Sequence, residues 1–264
     1  MHEALPSLIG VIHLPPLPGS PRFGGSLQAI LDQTAADARA LEAAGFEGII
    51  LENFGDAPFF PERVPPVTVA AMTAAAMTAR AAAPTVALGV NVLRNDAEAA
   101  LAVAVACGAS MIRVNVHVGA RITDQGMVQG RAHETLRLRR ELQASAVRLL
   151  CDVDVKHSAP LTPRPLGEEA EETAGRGLAD AILVTGTGTG RAAAREHLET
   201  VHAAVHVPVL IASGVTETSL PSFRGAHGVI VGSCLRASGR AGDPVDAVTA
   251  ARFVEAFRKV WRTG

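Results

Sequence analysis

Val207-Pro-Val-Leu-Ile-Ala-Ser-Gly-Val-Thr-Glu217, followed shortly by His227-Gly-Val-Ile-Val-Gly-Ser-Cys-Leu-Arg236, decides the reading of this chain. Each half is a short apolar, β-branched run that stops at Ser213-Gly214 or Gly232-Ser233, the pattern of a strand meeting the start of a helix. Glycine lets the backbone approach a ligand closely, and amide N–H groups at a helix start hold a phosphate. A paired phosphate grip after strands seven and eight belongs to a (β/α)8 barrel. The plainer alternative is that both glycines only make tight turns.

Working outward, apolar runs alternate with Ala-rich amphipathic segments along the whole chain. Strands are expected near Leu8 to His13, Gly48 to Asn53, Val86 to Asn91, Met111 to His117, Val147 to Val153, Ala181 to Thr185, Val207 to Ala212 and Val229 to Gly232. Helices are expected near Ser26 to Ala44, Thr68 to Ala82, Ala97 to Cys107, Arg131 to Ala144, Glu168 to Leu178, Arg191 to Ala204, Glu217 to Phe223 and Asp246 to Trp261. Strict alternation with eight strands points to a closed α/β TIM barrel, an open doubly wound sheet being the alternative. At 264 residues the chain fits one such barrel, so residues 1–264 are read as a single domain.

Composition narrows the function classes. Hydrophobic residues make 48% and charged residues 19%, which suffices for a large core and carries no signature of disorder. A net charge of −2 with scattered basic residues gives no footprint for nucleic acid or an anionic membrane. Cys107, Cys151 and Cys234 have no CxxC spacing, as expected of reduced thiols in a cytoplasmic protein. Cys234 lies next to the second glycine turn but has no paired base in view. No signal peptide is legible at the N-terminus, and the longest uncharged run, Val64 to Ala79, contains Pro65 and Pro66, so no transmembrane segment is expected. A homo-oligomer is compatible with all of this.

Side chains two apart share a face of a strand. In Met111 to Val118 the valines face the helices, which directs Arg113, Asn115 and His117 into the barrel. The same alternation directs Asp152, Asp154 and Lys156 inward from the next strand, with Asp152 the natural ion-pair partner of Arg113. Lys156 and Lys259 are the only lysines among many arginines, so a lysine at a strand end marks a need for a titratable amine or a point charge. Schiff-base chemistry and anion binding both fit it. Glu52 at the end of the second strand suits a general acid/base, since removal from water brings a carboxyl toward the working range. Asp56 reads as a turn residue and Asp96 as a helix N-cap.

Glu52, Asp152 and Lys156 are therefore the expected proton-transfer residues. His13, Asn53, Asn91, Arg94, Arg113, Asn115, Asp154 and His157 are expected to bind substrate. Gly186, Ser213, Gly214, Gly232 and Ser233 are expected to hold phosphate, with Thr185-Gly-Thr-Gly-Thr-Gly completing the cradle. Asp152, Asp154 and His157 could also bind a divalent metal, though their spacing is no diagnostic motif; no organic cofactor is predicted. Long connections at Pro15 to Gly25, Phe54 to Pro66, Val118 to Gly130 and Lys156 to Gly167 all follow strand C-termini, the functional face of a barrel. Leu14-Pro-Pro-Leu-Pro-Gly reads as a rigid wall beside the first strand end rather than a polyproline docking ligand.

These segments resemble the BtpA/SgcQ family, also called the membrane complex biogenesis BtpA family. The resemblance is carried in order by Gly10-Val-Ile-His-Leu-Pro-Pro-Leu-Pro-Gly-Ser-Pro, Glu52-Asn-Phe-Gly-Asp-Ala-Pro-Phe, Asn91-Val-Leu-Arg-Asn-Asp, Ile112-Arg-Val-Asn-Val-His, Thr123-Asp-Gln-Gly, Asp152-Val-Asp-Val-Lys-His, Val184-Thr-Gly-Thr-Gly-Thr-Gly and Ser213-Gly-Val-Thr. It implies a ribulose-phosphate-binding type of barrel. It also implies two directions for function, because the family name comes from a cyanobacterial factor needed for photosystem I accumulation while other members sit among sugar-metabolism genes. Glu52, Asp56, Gly186, Gly214, Gly232 and Ser233 are further similar in layout to the tryptophan synthase alpha subunit, in which strand-end acids cleave an indole-glycerol phosphate; Lys156 has no counterpart there. The expected function is acid/base chemistry (lyase, isomerase or glycosidic-bond cleavage) on a small phosphorylated sugar or ribosyl metabolite. The alternative is a non-catalytic biogenesis or stability factor for photosystem I or another membrane complex.

Overall fold

The computed structural model describes residues 4–186 and 195–261. In chain order the elements are β1 (Leu8–His13), α1 (Leu27–Ala44), β2 (Gly48–Glu52), α2 (Pro66–Ala82), β3 (Ala87–Asn91), α3 (Ala97–Cys107) and β4 (Met111–Val114). A hairpin of β5 (Ala120–Thr123) and β6 (Gly126–Gln129) precedes α4 (Ala132–Glu141), β7 (Arg148–Val153), β8 (Ser158–Pro160) and α5 (Leu166–Gly175). The chain continues through β9 (Ala181–Val184), α6 (Arg195–Ala204), β10 (Val209–Ile211), β11 (Gly228–Val231) and α7 (Ala247–Trp261). β1, β2, β3, β4, β7, β9, β10 and β11 pair in parallel in that order and close back on β1, which is the (β/α)8 barrel expected from the alternation. Closure leaves the barrel without an unpaired edge.

The helix boundaries follow local chemistry. Ser26 caps α1 by accepting from Ala29 N at 3.1 Å, and Asp96 caps α3 by accepting from Ala99 N at 2.9 Å, the role expected of it. Pro66 opens α2 at the position where a missing N–H costs nothing. Gly45 closes α1 with φ +97°, a left-handed turn that suits glycine.

One expected helix is absent. Between β10 and β11 the chain makes only a 3₁₀ turn, Leu220–Phe223, where an α-helix over Glu217 to Phe223 was expected. Thr216 and Ser219 bond to each other's backbone N–H groups at 2.9 and 3.2 Å, and Pro221 has no N–H to continue a ladder. Ser213-Gly214 therefore opens into a turn, and Gly232 leads into another short 3₁₀ turn, Ser233–Leu235, so neither glycine begins an α-helix. The expected start of the sixth helix, Arg191, lies outside the described residues.

Two long loops hold structure that the sequence reading left irregular. β6, β5 and β8 form a three-stranded antiparallel sheet beside the mouth of the barrel. Among the described residues no helix is long and apolar enough to cross a membrane.

The interior is layered by strand alternation. Ile9, Val11, Ile50, Met111, Leu150, Leu183, Leu210 and Ile230 form an apolar plug inside the barrel, separate from the larger core between strands and helices. Two residues further along four of these strands, the same inward face carries His13, Glu52, Arg113 and Asp152, joined at that level by Asn91 of β3, all buried. His13 is in register with Glu52, and Glu52 with Asn91. Below Asn91 the inward position is Gly89, where a Cβ would meet Ile50 and Met111 side chains at 2.8 Å. A polar layer thus caps an apolar plug at the C-terminal ends of the strands.

Candidate active site

Arg113 is the hub of the polar layer. Its Nη1 donates to Glu52 Oε1 at 3.1 Å, its Nε lies 3.2 Å from both Asp152 oxygens, and its Nη2 is 3.1 Å from Asp152 Oδ1. The Arg113–Asp152 pair expected from the sequence is present, and Glu52 joins it. All three side chains are at most 5% exposed, so each charge depends on the others for compensation. Asn115 Nδ2 adds a donor to Asp152 Oδ2 at 2.6 Å, and Asn91 Nδ2 supports the hub through Arg113 O at 2.9 Å and Asn115 Oδ1 at 3.3 Å.

Both Asp152 oxygens are therefore occupied by protein donors, whereas among the described residues Glu52 has only one oxygen anchored. Its other oxygen, Oε2, lies 3.9 Å from His13 Nε2. Asn53, expected to meet substrate, instead pins the backbone: Oδ1 accepts from Leu93 N at 2.7 Å and Nδ2 donates to Asp56 Oδ2 at 3.0 Å. Asp56 uses its second oxygen to accept from Leu17 N at 2.8 Å. This docks Leu14 and Leu17, both fully buried, so the proline-rich segment is a wall of the mouth.

The inward direction expected for Asp154 does not hold. β7 ends at Val153, and Asp154 adopts φ +46°, which breaks the alternation and turns its half-exposed carboxylate outward to Arg121. Arg121 also pairs with Glu169 at 3.2 Å and donates to Ser158 Oγ at 2.7 Å, tying β5, β8 and α5 together. His157, at φ +59°, is exposed. Asp152, Asp154 and His157 accordingly do not converge, and among the described residues no three His, Cys, Asp or Glu side chains form a metal-sized cluster. His117 likewise misses the barrel interior, because β4 ends at Val114; its Nε2 meets Gly177 O at 2.8 Å.

Lys156 does reach the mouth, despite the turn. With His13, Glu52 and Arg113 it lines a cavity whose other wall is Ala212 to Val215 and Gly232 to Cys234, with about 400 Å³ of empty space including its open end. Among the described residues its ammonium has no ion-pair or hydrogen-bond partner. Burial pushes its pKa below the ordinary lysine value, and the Arg113 charge adds to the effect. Arg94, also buried, donates from Nη2 to Lys156 O at 2.7 Å and so holds the lysine's backbone rather than the cavity.

The glycine turns face these side chains. Among the described residues the N–H groups of Gly214 and Val215 have no acceptor, and the first amides of the Ser233–Leu235 turn lack an internal partner by position. Gly186 is buried at the end of β9, and residues 187–190 of the expected cradle lie outside the described residues. Cys234 borders the same wall, but burial pushes its thiol up to about 12, so it stays protonated.

Arg236 is the residue the sequence reading left without a role. It is 2% exposed just beyond the second glycine turn and donates to Val11 O at 2.8 Å beside His13. The available signal was its position: an arginine directly after an apolar strand and turn, where the chain returns into the barrel end.

The fold and this mouth define a closed parallel barrel with a charged cavity between glycine turns and strand-end acids. The chain belongs to the BtpA family, whose model matches residues 5–259. It is 46% identical to the Photosystem I biogenesis protein BtpA of Synechocystis over 254 residues, 95% of this chain and 87% of that one. Solved structures of similar fold include the thiamine phosphate pyrophosphorylase of Pyrococcus furiosus (TM-score 0.57, 16% identity, covering 96% of this chain and 94% of that one). Another is the 3-keto-L-gulonate-6-phosphate decarboxylase of Vibrio cholerae (TM-score 0.57, 14% identity, covering 97% and 99%). At such identities the likeness shows the shared barrel.

Proposed function

We propose that this protein is an enzyme acting by acid/base chemistry on a small phosphorylated sugar or ribosyl metabolite. The observation that carries the reading is the single cavity that has both glycine turns on one wall and Glu52, His13, Arg113 and Lys156 on the other. The free amides and Lys156 would take the phosphate, because an anion there pairs with a cation that has no ion-pair partner among the described residues. Glu52 would move the proton through Oε2 while Arg113 holds Oε1. Asp152, with both oxygens engaged, is a positioning residue in this scheme rather than the proton carrier expected from the sequence.

A thermal-shift screen of phosphorylated sugars and ribosyl compounds against their unphosphorylated partners tests this. A ligand at a hundred times its Kd adds about 2.7 kcal/mol, roughly 5–10 °C for a domain of this size. The control is Ser233→Asp, which puts a like charge at the phosphate. A shift that requires the phosphate and disappears in Ser233→Asp supports the reading; no shift across the panel counts against it.

The second reading, a non-catalytic biogenesis factor, draws on the printed name of the Synechocystis relative and on exposed Ile122, Met127 and Leu161 around the small sheet, at 44%, 55% and 55%. It requires that Glu52→Gln leave the protein's activity in cells intact while polar substitutions of those three abolish it.

A further inference from the structure

His13 is buried, with its ring held between Phe54 and Gly232 at the edge of the cavity. Phe54 lies against the ring with centroids 4.6 Å apart, and on another side Gly232 leaves room only because it lacks a Cβ, which would fall 2.8 Å from His13 Cε1. Its two nitrogens face opposite environments. Nδ1 is approached at 3.4 Å by Arg236 Nη2 and at 3.4 Å by the N–H of Gly242, while Nε2 points at Glu52 Oε2 in the cavity.

Neither group at Nδ1 can accept a hydrogen bond, because a guanidinium and an amide N–H are donors only. Nδ1 must therefore be the acceptor, which leaves the ring proton on Nε2. We propose that His13 works as a neutral imidazole whose Nε2–H donates to a ligand oxygen beside Glu52, and that Arg236 is the positioning residue that fixes this tautomer.

The charges facing His13 from each neighbouring element agree. Burial lowers its pKa, and Arg236 beyond β11, Lys156 beyond β7 and Arg113 on β4 add to the lowering, while the carboxylates facing it are Glu52 on β2, 3.9 Å from Nε2, and Asp37 on α1 across a neighbouring cavity. Protonation would also set an Nδ1–H against two donors. Arg236 is itself costly, being buried with Nε and Nη1 unpartnered among the described residues and with Asp37 as a neighbouring counter-charge. A cation kept under those conditions is explained if its work is on the imidazole.

The proposal rests on the ligand-site reading above and narrows its chemistry. Glu52 Oε2 and His13 Nε2–H converge as a base and a neutral donor. That pair fits a substrate with a carbonyl oxygen next to an acidic C–H bond. Glu52 takes the proton from carbon, the C–H electron pair moves into the new C=C bond, and the carbonyl π pair moves to oxygen, which accepts from His13. A keto or aldehyde sugar phosphate has this arrangement.

The test is a nitrogen NMR titration of the full chain labelled at histidine, with His13→Gln identifying the signal. His13 is expected to show an unprotonated Nδ1 and a protonated Nε2 at pH 7, and to stay neutral as the pH falls below the ordinary histidine range. Arg236→Met should yield mixed tautomers and a titration moved toward the ordinary range; Arg236→Lys, which keeps a donor and a charge, should retain the native state. An Nδ1–H tautomer, or ordinary titration of His13 in the native chain, overturns the proposal, and neither result depends on whether Arg236→Met folds. Because the spectrum is read without ligand, failure of the phosphate screen would leave it standing as evidence on His13. Once a phosphate ligand shifts the melting temperature, a matched keto and alcohol pair should bind with the keto form tighter in the native chain and with that preference lost in His13→Gln; equal binding of the pair in the native chain overturns the assigned donor role.

Discussion

Arg113 Nη1 sits 3.1 Å from Glu52 Oε1 while the remaining edge of the same guanidinium grips Asp152, so one cation neutralises two acids inside the barrel. Removing it leaves two buried carboxylates without the cation that both pair with. Arg113→Met should therefore lose about 3–5 kcal/mol of stability, roughly 10 °C in melting temperature. Thermal unfolding of the variant beside the native protein at pH 7 checks both the size and the sign.

The two acids should separate in their effects. Glu52→Gln keeps an acceptor for Arg113 and the shape of the cavity but removes the proton-carrying oxygen, so it should fold normally and lose about 10²–10⁴-fold in turnover with ligand binding retained. Asp152→Asn disturbs the hub itself and should cost mainly stability. Equal loss of turnover in two well-folded variants would contradict the division of labour drawn from their hydrogen bonds.

Lys156 predicts a conflict between stability and binding. Its native pKa is lowered, so between that value and the ordinary lysine value the unfolded chain binds more protons than the native one. This contribution makes stability rise with pH through the window, and at neutral pH the charged side chain is a net cost. Lys156→Met should then melt at a higher temperature than the native protein. The same change should abolish the phosphate-dependent shift. In the native protein, affinity should rise from pH 5 to 7 as a phosphate gains its second charge, near pKa ~6, and fall at alkaline pH as Lys156 deprotonates. Titration calorimetry across pH, with the alkaline fall missing in the variant, is the measurement.

How far the sequence carries depends on whether alternation or a turn governs a residue. His13, Glu52, Arg113 and Asp152 were legible because each extends a regular strand two places beyond an apolar inward residue, and Asn91 because it ends a regular strand at the same level. Asp154 and His117 were misplaced for the converse reason: their strands end first, at Val153 and Val114, and the left-handed backbone at Asp154 lies outside any two-residue pattern. The small sheet was missed although Arg121 to Val128 alternates around Asp124-Gln-Gly, because three- and four-residue strands give little periodicity to read. Arg236 escaped because its role depends on a partner more than two hundred residues earlier in the chain.

Arg121 extends the argument to the loop that carries Lys156. Its guanidinium joins Asp154, Glu169 and Ser158, and Arg94 holds the carbonyl of Lys156 from the other side, so the turn after β7 is clamped between two arginines. Arg121 is itself buried, at 4% exposure, and lies on β5, in the small sheet outside the barrel. Arg121→Met should leave barrel strands protected from hydrogen exchange while residues 154–160 exchange faster, since only the clamp and not the strand ladder is lost. Ligand affinity should weaken with that loosening, because Lys156 must then be ordered at the moment of binding, whereas the chemical step on bound substrate should change little. Exchange mass spectrometry resolves the two regions directly. Uniformly faster exchange throughout the barrel would show instead that the Arg121 network supports the whole fold.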